Sequence, residues 1–175
     1  MINVEAKKYK VNIDCFIYKT YLNDNKINSD IISTIDNSKD EQNNKTNVKA
    51  HMTNWRMQKH KGFSELKKIT DEIIKQIFLE KLKVKNSVSE LFLREMWGLK
   101  YKSNDYTIKH DHWPAVFSIV YYPKEVNNSS IFFDDLNLEI PVEKGLLLIF
   151  DGFLEHSVKN LQIENYRYCV AGNYF

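Results

Sequence analysis

The sequence predicts a mainly β fold with flanking helices: an antiparallel sandwich or barrel with one long helix packed outside one sheet. From residue 106 onward, nearly every segment is short, rich in β-branched and aromatic residues, and bounded by turn residues. Before that point, only residues 63–83 carry a long apolar stripe with helical spacing. The 175 residues fit one domain, with a core over about 86–175 and an N-terminal strand, mobile loop and supporting helix in 1–85.

The N-terminal part divides into three segments. Residues 8–22 alternate well enough for a strand, or for a strand followed by a turn. Residues 23–49 are rich in Asn, Asp, Ser and Lys and predict a loop with a short helix around Asp30–Ile35. The helix over 63–83 is predicted by a stripe of apolar residues: Phe63, Leu66, Ile69, Ile73, Ile77 and Leu82.

The C-terminal part predicts a series of short strands. Residues 87–101 are strand-like, and further strands are expected near 106–112, 116–122, 130–134, 137–142, 145–150, 154–159 and 166–174. Turn residues separate them, among them Pro123, Gly145 and the pair Asp151-Gly152.

Composition restricts the possible functions. Hydrophobic residues make up 43% of the chain and the net charge is +2, which indicates a globular protein without a clear nucleic-acid or membrane surface. No apolar run approaches the ~20 residues that a membrane span needs. Two cysteines, Cys15 and Cys169, are few for a secreted chain of this size. We therefore expect a soluble protein of the cytoplasm.

Three histidines are candidate metal ligands. Residues on a strand alternate between its faces, so His110 and His112 share one face and Asp111 points away. His156 starts a strand after the Asp151-Gly152 turn, and antiparallel pairing can bring it beside the first two. Three imidazoles would form a facial set with open positions for other ligands. The alternative is one exposed and one hydrogen-bonded histidine without a metal.

Arg167 is a candidate anion-binding residue. It shares a strand face with the small residues Cys169, Ala171 and Asn173, whereas the opposite face carries larger side chains. An inward arginine above small side chains suits a carboxylate, to which guanidinium donates two parallel hydrogen bonds. The alternative is a strand-edge arginine paired with a surface acid.

The order of these motifs resembles that of the iron(II)- and 2-oxoglutarate-dependent oxygenases. It is most similar to small members from marine phages and bacteria with the pattern H-x-H-P, SGVYY, F-x-D-P, P-x-x-G-x-L-x-x-F-P, L-x-H-x-V and R-x-S-x-x-F-N. The corresponding segments here are HDHWP, FSIVYYP, FFDDL, PVEKGLLLIF, DGFLEHSV and RYCVAGNYF. The similarity spans about residues 86–175 and, more weakly, reaches back to about residue 48.

The resemblance implies a double-stranded β-helix, or jelly roll, and a hydroxylase that uses iron(II), 2-oxoglutarate and O2. His110, His112 and His156 would bind the iron, and Arg167 would bind the remote carboxylate of 2-oxoglutarate. The substrate would be hydroxylated with release of succinate and CO2. A peptidyl residue such as proline is the first candidate substrate, by analogy with the family.

The sequence departs from the family pattern at several positions. His112 stands where the superfamily usually has a carboxylate ligand, so the ligand set is neutral; Asp111 could replace it if the strand were bulged. Cys169 stands where a serine often helps to hold the carboxylate. Ser129-Ser130 replaces a common glycine pair, and Asp151-Gly152 replaces the usual proline before the distal histidine.

Strand parity selects further candidates for cosubstrate binding. Tyr106 lies four residues before His110 and therefore on the same strand face, and Tyr122 is expected to point inward from the next strand. Both hydroxyls are thus predicted to reach the cosubstrate. Asn173 is predicted to contact the cosubstrate or the second nitrogen of a ligand histidine. Residues 36–62 are the candidate rim of the substrate site, or a lid over it.

Two other functions fit parts of this pattern. One is a cupin-like dioxygenase with three histidines and no 2-oxoglutarate, against which Arg167 argues. The other is a non-catalytic jelly-roll binding module.

Overall fold

The fold is described from a computed structural model, which describes residues 14–40, 47–82 and 91–175. The helices are α1 (Asn25–Asp36) and α2 (Phe63–Leu82). The strands are β1 (Ile17–Tyr21), β2 (Val48–Lys49), β3 (His51–Met52), β4 (Leu93–Tyr101), β5 (Tyr106–His110), β6 (Phe117–Tyr121), β7 (Ser130–Phe133), β8 (Leu138–Pro141), β9 (Leu146–Asp151), β10 (His156–Val158) and β11 (Arg167–Tyr174).

The strands form two antiparallel sheets. The six-stranded sheet has the order β1-β9-β6-β11-β4-β3, and the five-stranded sheet has the order β2-β5-β10-β7-β8. Between the sheets lies an inner core to which both contribute, including Leu99, Val120 and Phe150 from one sheet and Ile131 and Phe133 from the other. This arrangement confirms the predicted mainly β fold with sandwiched antiparallel sheets.

The opposite face of the six-stranded sheet carries a second apolar cluster, which the two helices share. Phe63, Leu66 and Ile74 of α2 belong to it, together with Val170 and Tyr174 of β11. The Tyr174 hydroxyl lies 2.7 Å from Thr70 Oγ1, which ties the sheet to α2. Because β11 alternates, these outward residues leave Arg167, Cys169, Ala171 and Asn173 on the inner side.

The N-terminal elements agree in part with the predictions. The predicted helix over 63–83 is confirmed as α2. In the loop predicted over 23–49, the helix is α1, which is longer than the predicted Asp30–Ile35. It begins early because Asp24 Oδ1 accepts hydrogen bonds from the backbone N–H groups of Lys26 and Ile27, both at 2.9 Å. The first part of the strand predicted over 8–22 lies outside the described residues, and so do 41–46 and 83–90.

The turns that close the sheets use the residues that the sequence marks as separators. Gly145 has φ of +80°, and its backbone N–H donates to the Tyr122 carbonyl at 2.8 Å before β9 begins. A side chain at this φ is strained, so glycine suits the position. No helix in the described part of the chain is long and apolar enough to cross a membrane.

Candidate metal centre

His110, His112 and His156 come together at one end of the inner core. Each offers a ring nitrogen, and these three atoms all lie within 4.8 Å of one another. The ring centroids are 4.5 to 5.0 Å apart. His110 on β5 and His156 on β10 are direct cross-strand partners, so the pairing of the two backbones places their side chains next to each other. The chemistry of three close imidazoles fits a divalent transition-metal ion.

A bulge in β5 turns His110 inward. His156 pairs with His110 and Val158 pairs with Thr107, so three residue steps on β5 face two on β10. The extra residue inverts the alternation between Thr107 and His110, so both side chains point into a cavity between the two sheets, which all three histidines line. Lys109, which lies between them in the sequence, is exposed, and its Nζ lies 3.4 Å from Asp135 Oδ1.

His112 lies beyond the end of β5 and is held by the chain around Gly152. Its backbone N–H donates to the Gly152 carbonyl at 2.8 Å. A Cβ at Gly152 would lie only 2.1 Å from the Ala115 carbonyl oxygen, so only glycine permits this approach. Asp111 is exposed, and its Oδ1 accepts a hydrogen bond from the Trp113 backbone N–H at 3.1 Å. The structure thus brings His112, and not Asp111, to the other two histidines.

Burial keeps the three imidazoles neutral, which is the form that binds a metal. Burial, together with a smaller contribution from neighbouring imidazoles, lowers the pKa of His112 to about 2 and that of His156 to about 3. The pKa of His110 is also lowered, mainly by burial. Nδ1 of His110 lies 2.8 Å from the Ile108 carbonyl and Nδ1 of His156 lies 3.0 Å from the Leu154 carbonyl. A carbonyl can only accept, so these Nδ1 atoms carry hydrogen and each Nε2 keeps its lone pair.

Arg167 lies in the same cavity and is 1% exposed. Its Nη2 donates to the Tyr122 hydroxyl at 3.1 Å, and the rings of Tyr101 and Tyr122 lie 4.8 and 5.2 Å from the guanidinium carbon. Among the residues that the structure describes, Nε and Nη1 have no hydrogen-bond partner. A buried guanidinium with two unpartnered nitrogens is costly unless an anion completes it. The residues that line the cavity with it are otherwise mostly apolar, among them Leu99, Val120, Ile131, Phe150 and Val158.

Two of the predicted cosubstrate residues line this cavity. Tyr122 and Cys169 are both buried, and burial raises the pKa of the Tyr122 hydroxyl to about 12 and that of the Cys169 thiol to about 11. Both groups are therefore protonated at neutral pH and can donate hydrogen bonds. Their contact with a cosubstrate remains a prediction.

The prediction that Tyr106 points inward with His110 is wrong. Its side chain is 38% exposed on the outside of β5, because the bulge inverts the parity on which the prediction depended. Thr107 takes the inward position instead, and its Oγ1 lies 2.7 Å from the Tyr101 hydroxyl. Neither Thr107 nor Tyr101 was predicted from the sequence, since alternation alone cannot reveal an inserted residue.

Asn173 contacts a candidate ligand, as the sequence predicts. Its Nδ2 lies 3.3 Å from His112 Nδ1 and 3.2 Å from Glu95 Oε2, and its Oδ1 accepts from the Ser118 hydroxyl at 3.0 Å. Neither Ser118 nor Glu95 was predicted from the sequence. A hydroxyl at an inward position of the apolar strand β6 was the available signal for Ser118.

An open cleft of about 450 Å³ leads from the surface to His110 and His112. Two exposed indoles line it: Trp113, which is 75% exposed, and Trp55, whose ring centroid lies 4.5 Å from that of buried Trp97. Trp55 belongs to the segment 36–62 that was predicted as a substrate rim. Arg94, Glu95 and Asp111 contribute charged side chains to the lining.

Solved structures share this fold, although no model of a known protein family and no curated protein matches the sequence. One is the viral collagen prolyl hydroxylase from Paramecium bursaria Chlorella virus-1 in complex with 2-oxoglutarate, at 14% identity and a TM-score of 0.63 over 90% of this chain and 94% of that one. Another is a Pseudomonas putida prolyl-4-hydroxylase, at 14% identity and a TM-score of 0.65 over 90% of this chain and 91% of that one.

A third is HygX from Streptomyces hygroscopicus with nickel and 2-oxoglutarate bound, at 11% identity and a TM-score of 0.66 over 91% of this chain and 82% of that one. At these identities the comparison establishes the fold. The chain has the jelly-roll fold of the 2-oxoglutarate-dependent oxygenases, as the motif order implies.

Proposed function

We propose that the protein is an iron(II)- and 2-oxoglutarate-dependent oxygenase that hydroxylates a substrate while 2-oxoglutarate and O2 yield succinate and CO2. The observation that carries this proposal is Arg167: a buried guanidinium with two unpartnered nitrogens lies in one cavity with three neutral imidazoles. The fold similarity to structures that hold 2-oxoglutarate supports it.

The proposal assigns a role to each polar group in the cavity. His110, His112 and His156 would hold the iron, which supplies the electrons and open coordination positions for O2 chemistry. Arg167 binds the remote carboxylate of 2-oxoglutarate through Nε and Nη1, while the Tyr122 hydroxyl fixes the orientation of the guanidinium. The apolar walls exclude water from the reacting groups.

An anaerobic titration tests the proposal. A weak visible absorption band is expected only when iron(II) and 2-oxoglutarate are both present, and succinate is expected once O2 is admitted. Arg167→Met should abolish the band, whereas Arg56→Met, which removes an exposed arginine outside the cavity, should retain it. Consumption of O2 without succinate would instead favour the three-histidine dioxygenase, and absence of both would favour a binding module.

We further propose a peptidyl residue such as proline as the substrate. Two of the structural neighbours are prolyl hydroxylases, and the cleft beside His112 offers indole faces on which a pyrrolidine ring can pack. Proline-containing peptides should gain one oxygen atom by mass spectrometry, and the same peptides with alanine at that position should not. A reducing, cytoplasmic location is part of this proposal, supported by the free cysteines Cys15 and Cys169.

A further inference from the structure

His112 differs from the other two histidines in the group that its Nδ1 contacts. Nδ1 of His110 and of His156 faces a backbone carbonyl, which fixes the hydrogen on Nδ1 and leaves Nε2 free for a metal. Nδ1 of His112 faces Nδ2 of Asn173 at 3.3 Å. Since Nδ1 is thus engaged, His112 could bind a metal only through Nε2, and only in a tautomer that leaves a lone pair on that atom.

The partners of Asn173 fix which way its amide points. Glu95 Oε2 can only accept, so it takes one N–H of Asn173 Nδ2 at 3.2 Å. The Ser118 hydroxyl donates to Oδ1 at 3.0 Å. The second N–H of Nδ2 then points at His112 Nδ1, which must accept it. A neutral imidazole that accepts at Nδ1 carries its hydrogen on Nε2 and has no lone pair there for a metal.

We propose that Asn173, held by Glu95 and Ser118, keeps His112 in the tautomer that cannot bind a metal. Metal binding then requires the side-chain amide of Asn173 to flip, so that Oδ1 and Nδ2 exchange places. This inference rests on the proposed metal centre. In the turned orientation Oδ1 accepts from His112 Nδ1–H and Nδ2 donates to the Ser118 oxygen. The carbonyl oxygen then faces Glu95, and two acceptors repel each other, so the Glu95 carboxylate turns away.

The position of Glu95 allows this movement. Its side chain is half-buried and lines the open cleft that leads to His110 and His112. A released Glu95 carboxylate therefore points into the proposed substrate site. The amide thus couples the loading of the metal centre to the charge presented in the cleft, and Glu95 and Asn173 act as positioning residues.

The tautomers can be measured directly in the metal-free protein by imidazole ¹H–¹⁵N correlation spectra at neutral pH. We expect His110 and His156 with hydrogen on Nδ1 and His112 with hydrogen on Nε2. The exchange variant Glu95→Gln/Asn173→Asp retains one carboxylate but makes residue 173 an acceptor only, so His112 should change to the Nδ1–H form. Asp111→Asn, which neutralises an exposed carboxylate of the same cleft, should leave the tautomer unchanged.

The second readout is cobalt(II) affinity, followed by visible absorption. Groups that orient metal-binding histidines typically change metal affinity about 10- to 100-fold, so the exchange variant should bind cobalt(II) at least about tenfold more tightly than the wild type. An Nδ1–H tautomer of His112 in the wild-type metal-free protein would overturn the inference. So would an exchange variant with unchanged tautomer and affinity. A wild type that binds no cobalt(II) would refute the proposed function, whereas the tautomer spectra would still decide the inference.

Discussion

Gly152→Ala should damage the metal centre through the backbone alone. The added Cβ would lie 2.1 Å from the Ala115 carbonyl oxygen, and real Cβ contacts essentially never fall below 3.0 Å. The two segments must therefore separate by at least 0.9 Å, the difference between these distances. Two backbone hydrogen bonds join them: His112 N–H to Gly152 O at 2.8 Å and Gly152 N–H to Val116 O at 3.0 Å.

The expected losses follow from this geometry. Two weakened hydrogen bonds cost about 2 kcal/mol of unfolding free energy, which corresponds to a Tm roughly 4–8 °C lower for a chain of this length. Because one of these bonds holds His112, the cobalt(II) affinity should fall about 10- to 100-fold. Thermal unfolding followed by circular dichroism and a cobalt(II) titration measure the two effects separately.

Gly98→Ala is the matched control. A Cβ there would lie 2.5 Å from Cγ1 of Ile35, which is fully buried on the helix side of the six-stranded sheet. Overpacking of this kind costs about 1–3 kcal/mol, so a similar loss of Tm is expected, but with cobalt(II) affinity intact. If Gly152→Ala loses stability as Gly98→Ala does and still binds cobalt(II) like the wild type, Gly152 does not place His112.

Three further predictions concern the cavity. Burial lowers the pKa of His112 to about 2 and of His156 to about 3, so the folded metal-free protein takes up fewer protons than the unfolded chain below about pH 6.5. The free energy of unfolding should be highest above that pH and should decrease toward pH 3 by about 1.4 kcal/mol per pH unit for each such group. Equal midpoints of urea unfolding at about pH 7.5 and 5.5 would contradict this prediction. Tyr122→Phe removes the partner of Arg167 Nη2 and should weaken 2-oxoglutarate binding about tenfold, measured by titration of the visible band. Cys169→Ser replaces a weak thiol donor by a hydroxyl and should tighten the same binding by a few-fold, so weaker binding would show that Cys169 does not face the carboxylate.

The sequence predicted the features that depend on regular periodicity. The outward Val170 and Tyr174 and the inward Arg167 and Cys169 follow from alternation along β11, which is regular from Arg167 to Asn173. The stripe of α2 follows equally from helical spacing. Both patterns are local, so one sequence is enough to detect them.

Features set by contacts between distant segments could not be predicted. The bulge that turns Tyr106 outward is defined by the pairing of β5 with β10, nearly fifty residues away along the chain. Glu95 reaches Asn173 across neighbouring strands, where their backbones are also paired. The early start of α1 did have local signals, in the capping residue Asp24 and in Ile27, Ile31 and Ile35 at helical spacing, but the prediction followed the polar, Asn-rich composition around them.

The neutral ligand His112 and the buried Arg167 both favour a cosubstrate with two negative charges. No carboxylate is found among the described residues that line the cavity, and Glu95 and Asp111 lie in the cleft outside it. A divalent ion held by the three neutral imidazoles would therefore add to the charge of the guanidinium, and the residues that line the cavity would leave this positive charge uncompensated. A dianion with one carboxylate near the histidines and the other at Arg167 would neutralise the guanidinium and reduce the charge of the metal centre from +2 to +1, whereas a monocarboxylate would leave one end unpaired in an apolar enclosure. A carboxylate at position 112 would relieve part of this demand, so the neutral ligand set makes the proposed centre more dependent on a diacid cosubstrate.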